Sequence, residues 1–489
     1  MIFAVVDLGS NSFRLQVADV EGDKVTVLKS VRDPIRLGAG LDAQGNLTPA
    51  AQQAALNTLA SFRNVLASYR LEGVRVVATN TLRVASNTDY FIEAAEKAIG
   101  YPIEVISGEE EGRLIYMGVA SALNRPHERR LVVDIGGGST ELVVGEGAQI
   151  ESVESFSIGS VRQVHAFFPD GRINAASMQA AILSARAQFE DGVAAFHPQH
   201  WSVAYGSSGT MRAISDAIAG NELGHESGNG DLDYKNLEAL AAHLVDMGDL
   251  NKADFHGIKP ERVYAMAGGL TILMGLMQEI GFDRMKAVDA GLRTGVLRDL
   301  QLRASRQDRR EASVQELMRR FHADTWRANR AAEIAIFLHD QLQLSSEGYA
   351  KYLRWSALLH EIGQVVSHTG YHKHGAYLVE HADIPGFTAR EQDLMSKLLL
   401  AQKGNLRKMG SALDQSDFAK AILALRLAIL FMHARGGIDL SQVRIKMKNR
   451  IDVELRKSDA QDHPSIGYWL EKEARFWDEV EVPFSVRMK

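Results

Sequence analysis

Apolar positions along the chain follow two regimes. Up to about residue 300, short apolar runs alternate with amphipathic stretches; beyond Gln307 the short runs cease and only long helical periodicities continue. The first run, from Ile2 to Asp7, has the unbroken hydrophobicity of a strand buried on both faces. Phe13–Val20 and Lys24–Val31 read as further strands, divided by Glu21-Gly22-Asp23. Thr48-Pro49 pairs a capping threonine with a proline at the first helical position, predicting a helix to about Tyr69. A buried strand at Val74–Ala78, a helix at Asn87–Ile99, a short strand at Pro102–Ile106 and a helix at Glu109–Ala122 follow.

At Leu131-Val-Val-Asp134 the pattern restarts. Asp7-Leu-Gly-Ser-Asn-Ser-Phe and Asp134-Ile-Gly-Gly-Gly-Ser-Thr stand 127 residues apart, each ending an apolar strand and each followed by β-rich sequence. Such a repeat predicts a duplicated α/β lobe. The second copy continues through a strand at Ser202–Tyr205, a turn at Gly206-Ser-Ser-Gly-Thr210, and helices near Leu270–Ile280 and Leu292–Arg303. Helices are then expected at Val314–Leu342, Tyr349–Glu361, Ala389–Leu400 and Phe418–His433. The tail Gln442–Lys457 alternates Val443, Ile445 and Met447 with Arg444, Lys446 and Lys448, a two-stranded pattern.

Composition narrows the class. The chain has 489 residues, enough for roughly three domains, and 46% hydrophobic against 24% charged residues excludes wholesale disorder. With no cysteine, disulfides, thiolate metal sites and thiol nucleophiles are all excluded, which fits a reducing compartment. The start turns acidic too soon for a signal peptide, and no apolar run of about 18 residues stands out; the stretch near Ala421–Ala434 is broken by Arg426. A cytoplasmic protein without a membrane or nucleic-acid partner is expected. Net charge is −6, which by itself argues against a polyanionic ligand. Its distribution changes that picture. Residues 301–489 carry 29 basic and 24 acidic residues, whereas the first 300 carry 26 and 37.

The candidate chemistry sits at the strand ends. An aspartate followed by small residues and Ser/Thr sets backbone N–H groups and hydroxyls around a concavity with a carboxylate behind it. The N–H groups suit phosphate oxygens, and the carboxylate suits Mg²⁺. Gly206-Ser-Ser-Gly-Thr210 is a third such segment. No G-x-x-x-x-G-K-[ST] occurs, and Gly38-Ala-Gly40 follows a charged stretch rather than a buried strand, so Walker and dinucleotide motifs are set aside. Glu109, Glu110 and Glu111 open a helix, where acids favour the positive dipole end. Successive helical residues differ by about 100°, so one or two of them at most face a common cleft as a base for water. Glu141 is placed to complete a metal shell, and Arg83 lies just past a buried strand, where α/β proteins hold ligands. In the back half, His360-Glu361 has glutamate where HD phosphohydrolases carry aspartate, so the histidines there are expected to pack or to contact anions. Arg303–Arg310, Arg319, Arg320, Lys403, Arg407 and Lys408 are either solvated helix faces or a track for a polyanion.

These segments, with Ala78-Thr-Asn-Thr-Leu-Arg83, Ile106-Ser-Gly-Glu-Glu-Glu-Gly-Arg113, Gly291-Leu-Arg-Thr-Gly-Val-Leu297, His372-Lys-His-Gly-Ala-Tyr377 and Ile384-Pro-Gly-Phe387, closely resemble the exopolyphosphatase / guanosine pentaphosphate phosphatase family. The resemblance runs in order over nearly the whole chain, leaving only about the last 50 residues without a motif. It implies an α/β fold of two actin-like (ribonuclease-H-like, ASKHA) lobes, 1–125 and 126–303, with the active site between them. An all-α HD-like domain, 304–435, and a small C-terminal α+β domain, 436–489, follow. It also implies a homodimer and Mg²⁺, with a monovalent cation as an optional addition. The substrate it implies is inorganic polyphosphate or guanosine pentaphosphate, the exopolyphosphatase branch being favoured, with an actin-like kinase or a non-catalytic polyphosphate- or nucleotide-binding scaffold as the remaining alternatives. The family's catalytic glutamate falls on Glu111 and its metal-associated acids on Asp134 and Glu141; Gly112 stands where alanine is often found. Asn11, Ser12, Arg83, Gly137, Gly138, Ser139, Ser208 and Gly209 are then expected around phosphate, and His372, His374, Lys403, Arg407 and Lys408 along a polymer channel.

Overall fold

The computed structural model describes residues 1–22, 24–223, 231–304, 308–343, 348–433, 439–456 and 464–488. Asp23, Arg306, Lys457 and the expected boundary at 435/436 lie outside these residues. The chain divides into two compact units, Met1–Asp308 and Arg309–Lys489.

The first unit contains two sheets. In the first, β1 (Ile2–Leu8), β2 (Phe13–Glu21) and β3 (Lys24–Asp33) form an antiparallel meander. Helix α1 (Pro49–Leu66) then leads to β4 (Gly73–Ala78), and α2 (Asn80–Val84) and α3 (Thr88–Ile99) to β5 (Ile103–Val105). β4 and β5 add in parallel beside β1, giving the order β3-β2-β1-β4-β5. Thr48 caps α1 by accepting from the Ala51 N–H, as its sequence predicts. Ala55, Leu59, Phe62 and Leu66 bury one face of that helix against the sheet.

After α4 (Gly108–Leu123) the pattern recurs. β6 (Arg129–Ile135), β7 (Thr140–Glu146) and β8 (Gln149–Phe156) form the second meander. Then come α5 (Ser160–Phe167), α6 (Ala175–Phe189), β9 (Val203–Ser207), α7 (Ser208–Gly220), β10 (Asp231–Asp233), α8 (Tyr234–Met247), α9 (Pro260–Ile280), β11 (Arg284–Ala287) and α10 (Leu292–Ala304). The sheet order is β8-β7-β6-β9-β11-β10, so its first five strands repeat the topology of the first sheet. The expected duplication is therefore present at the level of strand order. α10 follows the second sheet in sequence yet packs on β1, β2 and β4, while α4 follows the first sheet and packs on β6, β7 and β8. The two helices also pack against each other, so the lobes are stitched by an exchange that strand patterning does not reveal.

Two sequence expectations are corrected here. The turn expected at Gly206–Thr210 is the end of β9 running straight into α7, with Ser208 at a φ of 88° at the junction. Arg262–Ile280 is long and apolar enough to cross a membrane, against the expectation that no such run exists; 78% of that stretch is buried in the core of the second lobe.

The second unit carries α11 (Arg309–Arg320), α12 (Thr325–Leu342), α13 (Gly348–Leu358), α14 (Tyr371–His381), α15 (Ala389–Ala401) and α16 (Ser416–Met432). The single helix expected over Val314–Leu342 is two. His322 takes a left-handed backbone, and Asp324 restarts the helix by accepting from the Arg327 N–H. The tail is a three-stranded sheet, β12 (Arg444–Met447), β13 (Ile451–Leu455) and β14 (Phe484–Met488), with α17 (Pro464–Asp478) before the last strand. Its Val453, Leu455, Leu470 and Trp477 join the same apolar core as the six helices.

Candidate active site

The two Asp turns occupy equivalent places in the repeated topology. In each hairpin the aspartate is the penultimate residue of the first strand and faces the second residue of the next. Asp7 pairs with Arg14, and Asp134 pairs with Glu141. The duplication thus keeps the aspartate and exchanges the sign of its cross-strand neighbour. Cross-strand partners share a face, so Asp134 and Glu141 project together. β9 lies parallel to β6 with Ser207 beside Asp134, and the Ser207 hydroxyl donates to the Ala290 carbonyl at 2.8 Å.

The loop after each aspartate is braced by backbone. The carbonyls of Ser10 and Asn11 accept from Gly38 and Arg36. Those of Gly136 and Gly137 accept from Ser160 and Val161, the first N–H groups of α5, at 3.0 Å each. The two loops approach one another: a Cβ on Gly137 would lie 3.2 Å from the Ser10 Cβ and 3.7 Å from that of Asn11. At Gly138 no side chain fits, because Asn80 from α2 presses its amide against the loop. Ser139 is buried and lowers the Glu141 pKa against the effect of burial. Ser12 lies 3.5 Å from the Arg32 Nε.

Of the three glutamates opening α4, the structure gives each a different surrounding. Glu109 is partly exposed. Glu110 is buried in an ion-pair network with Arg113 and Arg75. Glu111 is the one that joins Asp134, Glu141 and Asp7. Arg83 Nη1 bridges the Ile106 carbonyl at 2.7 Å and Glu111 Oε2 at 3.1 Å, so the arginine expected beside phosphate holds the candidate base. Burial pushes Glu111 up to about 7, with Arg83 opposing and the Asp134 and Asp7 charges adding to the rise. Burial likewise raises Asp134 to about 6. Glu141 is driven well above the usual carboxylate range by burial and then by Glu111 and Asp134; its Oε1 accepts from Ser155 at 3.0 Å and its Oε2 has no partner. Asp7 is raised by burial against the pull of Arg293 and Arg14.

Glu111, Asp134 and Glu141 are buried and each is raised by a neighbouring carboxylate, and with Asp7 beside them they form an electrostatically incomplete site. Its donors are all hard oxygens, with one orphaned at Glu141, and a divalent cation such as Mg²⁺ matches that chemistry. Among the described residues no three His, Asp or Glu side chains form a ready-made metal cage.

Arg14, Asn80, Ser207, Arg262 and Arg293 stand at the site without a role assigned from the sequence. Arg14 and Arg262 flank Gly209, and Arg262 Nη2 donates to the Gly209 carbonyl at 2.6 Å. Ser208 is held in its left-handed conformation while its Oγ accepts from Thr210 and Met211. Asp7 is marked in the sequence by its equivalence to Asp134.

The second unit contains the remaining expected residues. His372 is buried with its Nδ1 unpartnered; burial, then Lys408, Lys403 and Lys373, push it down to about 4. Partial burial and the charges of Arg426 and Lys373 bring Lys408 down to about 8. Lys403 stacks its Nζ 4.7 Å over the Tyr371 ring. Arg407 turns to Glu479 at 3.4 Å, and His374 packs beside Gly363. At the His360-Glu361 pair, burial pushes His360 down to about 4, and Arg327 holds Glu361 through two contacts of 2.7 and 2.9 Å.

Comparison with known proteins matches both units. The Ppx/GppA phosphatase family model covers residues 16–304, and the model for Ppx/GppA phosphatase domain III covers 309–474. A solved Ppx/GppA family member from Aquifex aeolicus is 25% identical, with a TM-score of 0.54, covering 62% of this chain and 98% of its own. A solved exopolyphosphatase-like protein is also 25% identical, with a TM-score of 0.54 over 60% of this chain and 96% of its own. An exopolyphosphatase from Cytophaga hutchinsonii, 23% identical with a TM-score of 0.54, shares the fold over 61% of this chain and 97% of its own.

Proposed function

The chain belongs to the Ppx/GppA phosphatase family, and from that premise we propose that it is an exopolyphosphatase releasing orthophosphate from the end of inorganic polyphosphate. The observation that carries the reading is the buried carboxylate group around Glu111, set beside two glycine-rich loops. Glu111, at about 7, is poised to accept a proton from the attacking water at neutral pH. Arg83 fixes the Oε2 side of that carboxylate and keeps its pKa from rising further. The backbone of Gly137, Gly138 and Gly209, with Asn11, Ser12, Ser139 and Ser208, cradles the phosphate oxygens. Asp134 and Glu141 are the residues that would hold Mg²⁺. The bound ion would neutralise charge on the terminal phosphate, the role positioning and electrostatics play in phosphoryl transfer.

Support for a polymeric substrate comes from the second unit, which we read as HD-like. Burial and then Lys408, Lys403 and Lys373 depress His372, and burial with Arg426 and Lys373 depresses Lys408, so these basic side chains crowd one another in a way a bound anion would relieve. Arg407, paired with Glu479, and His374 would stand at its margin.

Glu111→Ala should lower phosphate release by about 10²–10⁴ while leaving polymer binding intact. Release within about tenfold of wild type, under ~1.4 kcal/mol of barrier, overturns the role. Guanosine pentaphosphate is the competing substrate within the family. A direct competition at equal concentration decides between them, and preferential cleavage of the nucleotide would replace the polyphosphate assignment.

A further inference from the structure

Next to Glu111 in sequence, Glu110 belongs to a group of six charges, four of them buried. Arg75, on β4, donates from Nε to Glu104 at 2.6 Å and from Nη1 to Asp299 Oδ2 at 2.8 Å, and its Nη2 lies 3.5 Å from Glu110. Arg113 donates to both oxygens of Glu110, at 2.6 and 2.8 Å, and to Asp299 Oδ1 at 2.9 Å. Arg303 donates to Asp299 Oδ2 at 2.7 Å. Three arginines balance three carboxylates. Burial alone would raise Glu110 and Asp299, but the arginines hold both below the usual carboxylate range.

Stability does not require such a group, since well-packed apolar side chains of similar volume do as well or better than buried ion pairs. Geometry does require something of this kind. Glu110 and Glu111 are consecutive in the first turn of α4, about 100° apart around its axis. Fixing Glu110 on the buried side therefore fixes which direction Glu111 points. Ser107, the cap of α4, holds the backbone of that turn but sets no side-chain direction. Asp299, paired with Arg303 within α10, joins that helix to β4 through Arg75 and to α4 through Arg113.

We infer that Asp299, acting through Arg113 and Glu110, is a positioning residue that sets the rotation of the first turn of α4 and thereby aims Glu111 into the cleft. The inference rests on Glu111 being the base. It adds that the base is aligned by a helix contributed from the far end of the second lobe, so its alignment depends on the packing of α10 against α4. Misplacement of a reacting group by about 1 Å costs on the order of 10²-fold.

The experiment measures steady-state polyphosphate hydrolysis by the full chain with Mg²⁺ for wild type, Asp299→Asn, Arg303→Gln, Glu104→Gln and Glu111→Gln, with thermal melts of each. Asp299→Asn should lower kcat by about 10- to 100-fold with KM within about twofold. Arg303→Gln removes one partly exposed donor and should lower kcat by about two- to fivefold, which keeps the test decisive if Asp299→Asn does not fold. Glu104→Gln weakens Arg75 from the β5 side without touching α4. Its melt should fall and its kcat should stay within about twofold of wild type. Unchanged kcat in both Asp299→Asn and Arg303→Gln, or an equal loss in Glu104→Gln, overturns the positioning role. Full activity in Glu111→Gln instead overturns the assignment of the base, a separate failure.

Discussion

At Glu111 a single side chain carries opposed influences that a sequence does not display. Burial and the Asp134 and Asp7 charges raise its pKa to about 7, while Arg83 pulls it down. The carboxylate works as a base only when ionised, so kcat should rise with pH through the region near 7 and level off above it. Removing the Arg83 charge takes away the opposing influence. Arg83→Gln should therefore move the acidic limb of the kcat profile to higher pH. A limb that stays in place or moves downward would separate Arg83 from the base. Residue type made Glu111 one of three candidates and the family resemblance singled it out; the structure adds the different neighbours that Glu109, Glu110 and Glu111 meet. Glu110 was not distinguishable from Glu111 by type or spacing, yet it belongs to the buried network.

Secondary-structure elements were legible wherever the pattern had one meaning. The apolar runs of β1, β4 and β6 and the Thr48-Pro49 start of α1 appear where the chain predicts them. The period failed where tertiary contacts override it. α11 and α12 share one continuous helical pattern but are broken by His322 and Asp324. α9 is apolar enough for a membrane because both its faces meet protein. Gly112, one residue after the base, shows packing acting on a single helix position. A Cβ there would lie 2.7 Å from Val153 Cγ2 and 3.2 Å from Val143 Cγ2, so alanine crowds α4 against β7 and β8. Gly112→Ala should cost about 1–3 kcal/mol in urea denaturation, and Val153→Ala in the same chain should recover part of the loss. An unchanged midpoint in Gly112→Ala would contradict the crowding.

For the molecule as a whole, the −6 net charge hides two different surfaces. Carboxylates of the first unit gather at the cleft, and a cationic cluster stands in the second. Replacing Lys403 and Lys408 by alanine should weaken binding of long polyphosphate and flatten its salt dependence, while turnover of tripolyphosphate stays near wild type. Equal effects on both chain lengths would remove the cluster from polymer binding. The sequence by itself determined the two-regime architecture, the repeat of the Asp turns and the family, because these depend on local periodicity and on short motifs. It could not determine the exchange of α4 and α10 between the sheets, nor the joining of Arg75 to Asp299 across more than two hundred residues. Nor could it show that Asp134 meets Glu141 where Asp7 meets Arg14. Those pairings depend on register and helix packing. Only the folded chain brings distant charges close enough, in a medium dry enough, to change one another's protonation.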